Sequence, residues 1–181
     1  MTVLKPLLYK TVALKNGSSA TLDWLKKSDL PEVVDALNSV IREDKYLLLT
    51  DEIVDMELER RWFRQAQETH MQYLVARVNG KVAGAANLEP HIGKRAHVAQ
   101  LDIYLIKEFR DLGLGTLLIQ ELIDVAKKNG LKVVQLSTFA TNKRAMHVYQ
   151  KCGFKKCGKL TNDIKFANGA FTDRIMMELR L

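Results

Sequence analysis

A turn of two glycines and an arginine leads into a predicted helix whose first backbone N–H groups have no capping side chain. The helix, residues 114–128, carries leucines at spacings of three and four. No Ser, Thr, Asp or Asn stands directly before Gly113 to cap it. A phosphate suits this turn, because Gly113 and Gly115 allow close approach, Arg110 adds positive charge and the helix dipole favours an anion. The residues therefore predict a site for a phosphate-bearing ligand.

Two familiar glycine motifs do not match this turn. A dinucleotide-binding fingerprint requires a third glycine three residues after Gly115, where this chain has Leu118. A P-loop requires Gly-Lys-Ser/Thr, whereas Gly115 is followed by Thr116 and Leu117. One structural alternative stays open, a strand-to-helix turn in which the glycines serve packing alone.

A buried strand, predicted over residues 99–106, leads into the turn and orients the side chains beside it. Leu, Ile and Tyr dominate this segment, which stops at Lys107 and Glu108. Side chains alternate along a strand, so Asp102 shares one face with Gln100 and Tyr104. The opposite face carries Leu101, Ile103 and Leu105.

Strands and helices are predicted along the rest of the chain. Ser28 and Asp29 cap a first helix that has Pro31 in its first turn and runs to about residue 42. A second helix lies farther along the chain, and a short helix that Thr141 or Asn142 can cap ends at Gly153. The second helix covers residues 55–69, and the remaining strands cover 9–14, 19–24, 72–78, 81–89, 132–137, 154–160 and 170–179.

Two motifs resemble the signatures of the GCN5-related N-acetyltransferase (GNAT) family. The first, Arg/Gln-x-x-Gly-x-Gly/Ala, is present as Arg110, Gly113 and Gly115. The second, Asn-x-x-Ala-x-x-x-Tyr-x-x-x-Gly-Phe, is present as Asn142, Ala145, Tyr149, Gly153 and Phe154. One predicted helix and one predicted strand separate the motifs, and the resemblance covers residues 22–181. It implies an α/β (α+β) domain with the acyl-CoA N-acyltransferase (GNAT) fold, in which helices flank a mixed, mostly antiparallel sheet.

The resemblance implies acetyl-coenzyme A as cosubstrate and indicates which residues bind it. Backbone groups around Ile103 and Leu105 would contact the pantetheine arm, and Asn142 would bond a pantetheine amide. Without the family, a simple helix cap explains Asn142 equally well. The turn and the helix start would hold the pyrophosphate, through Arg110, Asp111, Leu112, Gly113, Leu114, Gly115 and Thr116.

The resemblance also implies direct transfer of the acetyl group to a primary amine in a ternary complex. A backbone N–H near Leu105 would stabilise negative charge on the acetyl oxygen. Tyr149 would contact the coenzyme and protonate the departing thiolate, since a phenol with a pKa of about 10 keeps its proton at neutral pH. The general base stays open between Asp102, Glu89 at the end of the preceding strand, and water.

The composition favours one domain over residues 1–181 and excludes several classes of protein. The chain has 181 residues, of which 47% are hydrophobic, enough for a sizeable core. No apolar run reaches the roughly 18 residues of a membrane span, and the first residues lack a secretory signal. With only two cysteines, a cytoplasmic location is expected. The net charge of +7 is spread along the chain, so nucleic acid is not the expected partner, and no metal site is predicted.

The amine acceptor is open at the level of sequence. Small molecules and protein N-termini both fit, because specificity would lie in the first helices, the loop at 89–96 and the terminal hairpin. Acidic residues between 43 and 55 would attract a cationic amine, although a solvated surface explains them as well. A homodimer is an expectation from the resemblance. Two other classes stay open: an acyl-coenzyme A-binding sensor without turnover, and a nucleic-acid-binding protein.

Overall fold

Eight strands form one sheet in the computed structural model, which describes residues 9–181. The order across the sheet is β1-β2-β3-β4-β5-β6-β8-β7, and all neighbours are antiparallel except β5 and β6. The predicted mixed, mostly antiparallel sheet is confirmed. The strands are β1 (Tyr9–Ala13), β2 (Ser19–Trp24), β3 (Gln72–Val78), β4 (Lys81–Pro90), β5 (Val98–Leu105), β6 (Val133–Phe139), β7 (Lys155–Lys165) and β8 (Phe171–Arg180).

Four α-helices in residues 9–181 flank the sheet: α1 (Leu30–Ile41), α2 (Met56–Glu68), α3 (Leu114–Lys128) and α4 (Lys143–Lys151). Within the same residues, no helix is both long and apolar enough to cross a bilayer. The prediction that the chain lacks a secretory signal concerns its first residues, and residues 1–8 lie outside the part that the structure describes.

The two faces of the sheet carry separate apolar cores. On one face, Leu118 and Leu122 of α3 pack with Leu101 of β5. On the other face, Val33 of α1 packs with Tyr104 of β5. Successive β5 side chains therefore alternate between the two cores, as the sequence predicts.

The sheet splits between β5 and β6, its single parallel pair. The two strands pair only at residues 98–100 and 133–135. The Ile106 N–H donates to the Ala83 carbonyl at 3.0 Å, and bonded residues alternate along an antiparallel pair. Ile103 and Leu105 therefore direct their backbone N–H and C=O groups away from β4. Since β6 has already diverged there, an open wedge lies beside them.

The predicted cap of α1 is wrong in its details. Ser28 and Asp29 lie in a short 3-10 turn, and α1 begins at Leu30. Asp29 occupies the N-cap position, but its side chain does not cap the helix. Its carboxylate instead accepts a hydrogen bond from the Lys26 N–H at 2.8 Å and pairs with Arg77 at 3.0 Å. A tertiary ion pair thus replaces the expected local cap.

The last hairpin is longer than the sequence predicts. β7 was expected to stop near residue 160 but continues to Lys165. Its pairing with β8 is irregular between Lys156 and Gly158 and again between Leu160 and Ile164. Most of its side chains are exposed, so the alternation of buried and exposed residues that marks a strand is missing.

Candidate acetyl-transfer site

One cavity of about 620 Å³ begins in the wedge between β5 and β6 and continues to the opposite face of the sheet. After the roles that the resemblance to the GNAT family implies, we call its two parts the coenzyme end and the acceptor end. The coenzyme end is lined by residues of β5, α3 and α4, including Ile103, Leu105, Gly115, Asn142 and Tyr149. The acceptor end is lined by residues of α1, α2 and the segment between them, including Val33, Leu37, Tyr46, Glu59 and Trp62.

The start of α3 has the geometry of an anion site. No side chain of the described residues caps the helix, and Gly113 at the N-cap adopts φ of 87°. Gly115 comes close to β5, since a Cβ there would lie 3.4 Å from Leu105 Cδ1. Unpaired N–H groups at a helix start, together with the helix dipole, bind phosphate well. The residues present therefore fit the pyrophosphate of a nucleotide coenzyme.

The other predicted residues of the turn contribute mainly through the backbone. Leu114 is fully buried, so only its main chain can face a ligand. Asp111 adopts φ of 66°, and its exposed carboxylate pairs with Arg144 at 3.4 Å. The Leu112 carbonyl accepts a hydrogen bond from the Lys15 N–H at 3.1 Å. Thr116 lies in the first turn of α3 and is partly exposed.

Lys15 approaches the glycine turn at the start of α3, a contact that no motif in the sequence indicates. It lies in the turn between β1 and β2, nearly a hundred residues before α3. Its Cγ is 3.5 Å from where a Cβ on Gly113 would stand. The first hairpin thus covers the glycine turn, a tertiary contact that no local pattern reveals.

Arg110 is held by protein groups in this structure. Its Nε donates to the Leu105 carbonyl at 3.0 Å and its Nη1 to Glu43 Oε2 at 2.7 Å. Its Nη2 contacts the second oxygen of Glu43, and the guanidinium lies 4.7 Å from the centre of the Tyr46 ring. Arg110 also lowers the pKa of the Glu43 carboxyl, mainly through this hydrogen bond. The sequence assigned its charge to phosphate, but Glu43 neutralises much of that charge.

Tyr149 lies buried at the coenzyme end, within reach of the charge of Asp102. Its ring packs edge-on against Phe154, with centroids 6.2 Å apart. Burial raises the pKa of Tyr149 well above its ordinary value, and the charge of Asp102 raises it further. The hydroxyl is therefore protonated at neutral pH. Asn142 begins the same helix, and its Oδ1 accepts a hydrogen bond from the Ala145 N–H at 3.2 Å.

Asp102 lines the cavity on the face of β5 that the sequence predicted. It lies opposite Asn87 of β4 and accepts a hydrogen bond from Gln100 Nε2 at 3.3 Å. Burial raises the pKa of the Asp102 carboxyl. Glu89, the other candidate base, lies opposite Gln100 and is therefore farther from the wedge than Asn87, which lies opposite Asp102. Glu89 is not among the residues that line the cavity.

The acceptor end brings together groups from four distant elements. Tyr73 of β3 packs edge-on against Trp62 of α2, with ring centroids 5.4 Å apart. The Tyr104 hydroxyl donates to the Val33 carbonyl at 3.1 Å, which ties β5 to α1. Glu59 of α2 faces the same space, and burial raises the pKa of its carboxyl. Glu59 is not among the residues that the sequence motifs single out; in the structure it lies on α2 near Trp62 and Phe63. A carboxylate on an otherwise apolar helix face was the available signal.

The cavity offers free backbone groups of β5 to an extended amide chain and the start of α3 to phosphates. These features suit a coenzyme that carries an activated acyl group. The model of the Acetyltransferase (GNAT) family matches residues 34–154, more than half of the chain. The chain therefore belongs to the GNAT family of acetyl-coenzyme A-dependent N-acetyltransferases.

Known relatives agree with this assignment. YwnH of Bacillus subtilis, provisionally named a phosphinothricin acetyltransferase, is 29% identical over 140 residues, which cover 76% of this chain and 85% of YwnH. The L-amino acid N-acyltransferase MnaT of Escherichia coli is 25% identical over 165 residues, covering 89% and 94% of the two chains. The crystal structure of a GNAT acetyltransferase from Streptococcus pneumoniae has a TM-score of 0.81 and 31% identity, covering 90% and 99%.

Proposed function

We propose that this chain transfers the acetyl group of acetyl-coenzyme A to a primary amine by direct attack in a ternary complex. The continuity of the cavity carries this proposal. A single space joins Gly115 and Asn142 at the coenzyme end to Glu59 and Trp62 at the acceptor end. Substrates bound at the two ends can therefore meet, and their alignment would supply a large part of the rate acceleration.

The coenzyme end would bind acetyl-coenzyme A mostly through main-chain groups. This cosubstrate supplies an acetyl group activated as a thioester. The N–H groups from Gly113 to Thr116 would hold its pyrophosphate at the positive end of α3. Backbone groups of Ile103 and Leu105 would bond the pantetheine arm. Asn142 would add its Nδ2 as a donor, since its Oδ1 already caps α4.

In the chemical step, a bond from the amine nitrogen to the acetyl carbon forms as the carbon–sulfur bond breaks. The Leu105 N–H would donate to the acetyl oxygen as negative charge develops there. The Tyr149 hydroxyl, kept protonated by burial, would give its proton to the departing sulfur. Asp102 would take the proton that the amine loses.

Asp102 is preferred to Glu89 as the base because of position and environment. Asp102 lines the cavity, and its raised pKa makes it a better proton acceptor near neutral pH than an ordinary aspartate. Glu89 lies outside the lining. Glu59 is a second carboxylate in the same space and would attract the positive charge of the incoming amine.

The test is an assay of thiol release by the purified chain with acetyl-coenzyme A and a panel of primary amines. We expect thiol release to require an amine, with one N-acetyl product formed per thiol. Double-reciprocal plots of initial rate against acetyl-coenzyme A concentration, made at several amine concentrations, should give intersecting lines. Parallel lines would indicate an acetylated enzyme and contradict direct transfer. Calorimetric binding of acetyl-coenzyme A without turnover of any amine would favour the sensor alternative.

A further inference from the structure

The acceptor end holds two carboxylates that no cation of residues 9–181 neutralises through an ion pair. Glu59 enters from α2 and Asp102 from β5. Burial raises the pKa of Tyr73 above its ordinary value, and the charges of both carboxylates raise it further, so both lie near one hydroxyl. Within residues 9–181, no lysine, arginine or histidine forms an ion pair with either. A bound ammonium group would supply the missing positive charge.

Positive charge available to an anionic ligand is scarce in the same space. Two arginines are found among the described residues that line the cavity. Arg110 is bound by Glu43 and by the Leu105 carbonyl. Arg144 pairs with Asp111 at 3.4 Å, beside the start of α3 and therefore at the coenzyme end. A carboxylate on the acceptor would have to break one of these pairs or lie unpaired beside Glu59 and Asp102.

The walls around the carboxylates are apolar, and the apolar surface continues outwards. Leu37 and Trp62 line the interior. Leu48 and Leu49 also line the cavity, yet they are 60% and 50% exposed, which puts them at its mouth. Removing such surface from water favours an acceptor with a hydrocarbon body.

We propose that the acceptor is a primary amine with an aryl or branched alkyl body and no carboxylate. Glu59 and Asp102 would compensate its ammonium group, and the apolar walls would bury its body. This inference rests on the proposed acetyltransferase function and narrows its substrate class. It also separates this chain from MnaT, whose name assigns it L-amino acids, which carry a carboxylate beside the amine.

The test compares 2-phenylethylamine with L-phenylalanine, which has the same skeleton with one added carboxylate. Both are assayed by thiol release at saturating acetyl-coenzyme A. We expect kcat/KM for 2-phenylethylamine to be larger by about 100-fold or more, because a carboxylate in this space is left without a partner.

The role of Glu59 is tested with a matched pair of variants on α2. Glu59→Gln keeps the size of the side chain and removes its charge, so KM for 2-phenylethylamine should rise about tenfold. Affinity for acetyl-coenzyme A should stay unchanged. The control is Glu57→Gln, because Glu57 is 55% exposed and pairs with Arg60 and Arg64 on the helix surface. It should leave both constants unchanged.

The outcomes distinguish a failure of this inference from a failure of the proposed acetyltransferase function. Equal or better turnover of L-phenylalanine would overturn the inference and leave the acetyltransferase function standing. Turnover of another amine in the panel, but not of 2-phenylethylamine, would do the same. Turnover of no amine would overturn both. An unchanged KM in Glu59→Gln would overturn the role of Glu59.

Discussion

The coenzyme end and the acceptor end of the cavity are built in different ways. At the coenzyme end the proposed contacts come mostly from the main chain, at the diverging strands β5 and β6 and at the uncapped start of α3. At the acceptor end, side chains from α1, α2, β3 and β5 form the walls. A backbone site requires glycines and caps at fixed spacings, whereas a side-chain site can be assembled from any elements that meet.

This difference explains which features of the site are visible in the sequence. Gly113 and Gly115 stand two residues apart, and Asn142 and Tyr149 share one short helix, so each motif is local. Glu59 and Asp102 are far apart in the chain and meet only in the fold. Experiments on the two ends should therefore separate coenzyme binding from acceptor chemistry.

The largest expected effect is at Tyr149, the proposed proton donor. Tyr149→Phe removes the proposed proton donor and keeps the buried ring, so kcat should fall by about 10²–10⁴-fold. Affinity for acetyl-coenzyme A, measured by calorimetry, should change little. Tyr9→Phe is the control, because Tyr9 is 76% exposed. Equal turnover in the wild type and Tyr149→Phe would remove the general-acid role.

A second prediction concerns the base. Asp102→Asn should lower kcat/KM for the amine by about 10²-fold and leave coenzyme affinity unchanged. Burial raises the pKa of Asp102, so wild-type activity should fall as the pH drops through that raised value. The variant should lack this acid limb. If Glu89→Gln abolishes the limb and Asp102→Asn keeps it, Glu89 is the base.

A third prediction distinguishes two roles for Arg110. If Arg110 acts by joining Glu43 to the end of β5, Arg110→Ala should lower the free energy of unfolding by about 1–3 kcal/mol. Coenzyme affinity should fall about tenfold with it. Arg42→Ala, which breaks an exposed pair with Glu52, should cost less than about 0.5 kcal/mol. Loss of coenzyme binding in Arg110→Ala with no loss of stability would instead indicate a direct phosphate contact.

The smallest effect is a pH dependence of stability at the same ion pair. Arg110 holds the pKa of Glu43 below its ordinary 4.5 in the folded chain. The resulting stabilisation is present above pH 4.5 and is lost as the pH falls through the lowered value. Denaturant unfolding should find wild type about 1 kcal/mol more stable than Glu43→Gln at pH 7. A difference that does not shrink as the pH falls below 4.5 would contradict this origin.

Local patterns predicted the elements of the fold better than their contacts. The bounds of α3 follow from its apolar spacing and from Asn129-Gly130, and the structure has it at Leu114–Lys128 as predicted. The strand β7 was predicted too short, because its irregular pairing with β8 hides the alternation of buried and exposed side chains. The partners of Arg110 and the approach of Lys15 to Gly113 depend on distant segments, which no local pattern specifies.

The most direct test of a backbone-built coenzyme end is calorimetric titration of acetyl-coenzyme A into wild type, Gly113→Ala and Gly130→Ala. Both glycines have positive φ, 87° and 73°, so both substitutions strain the backbone. Gly113 begins α3, whereas Gly130 follows its far end. We expect wild type and Gly130→Ala to bind alike and Gly113→Ala to bind at least about tenfold more weakly. No binding to wild type, or equal binding to all three, would contradict the account.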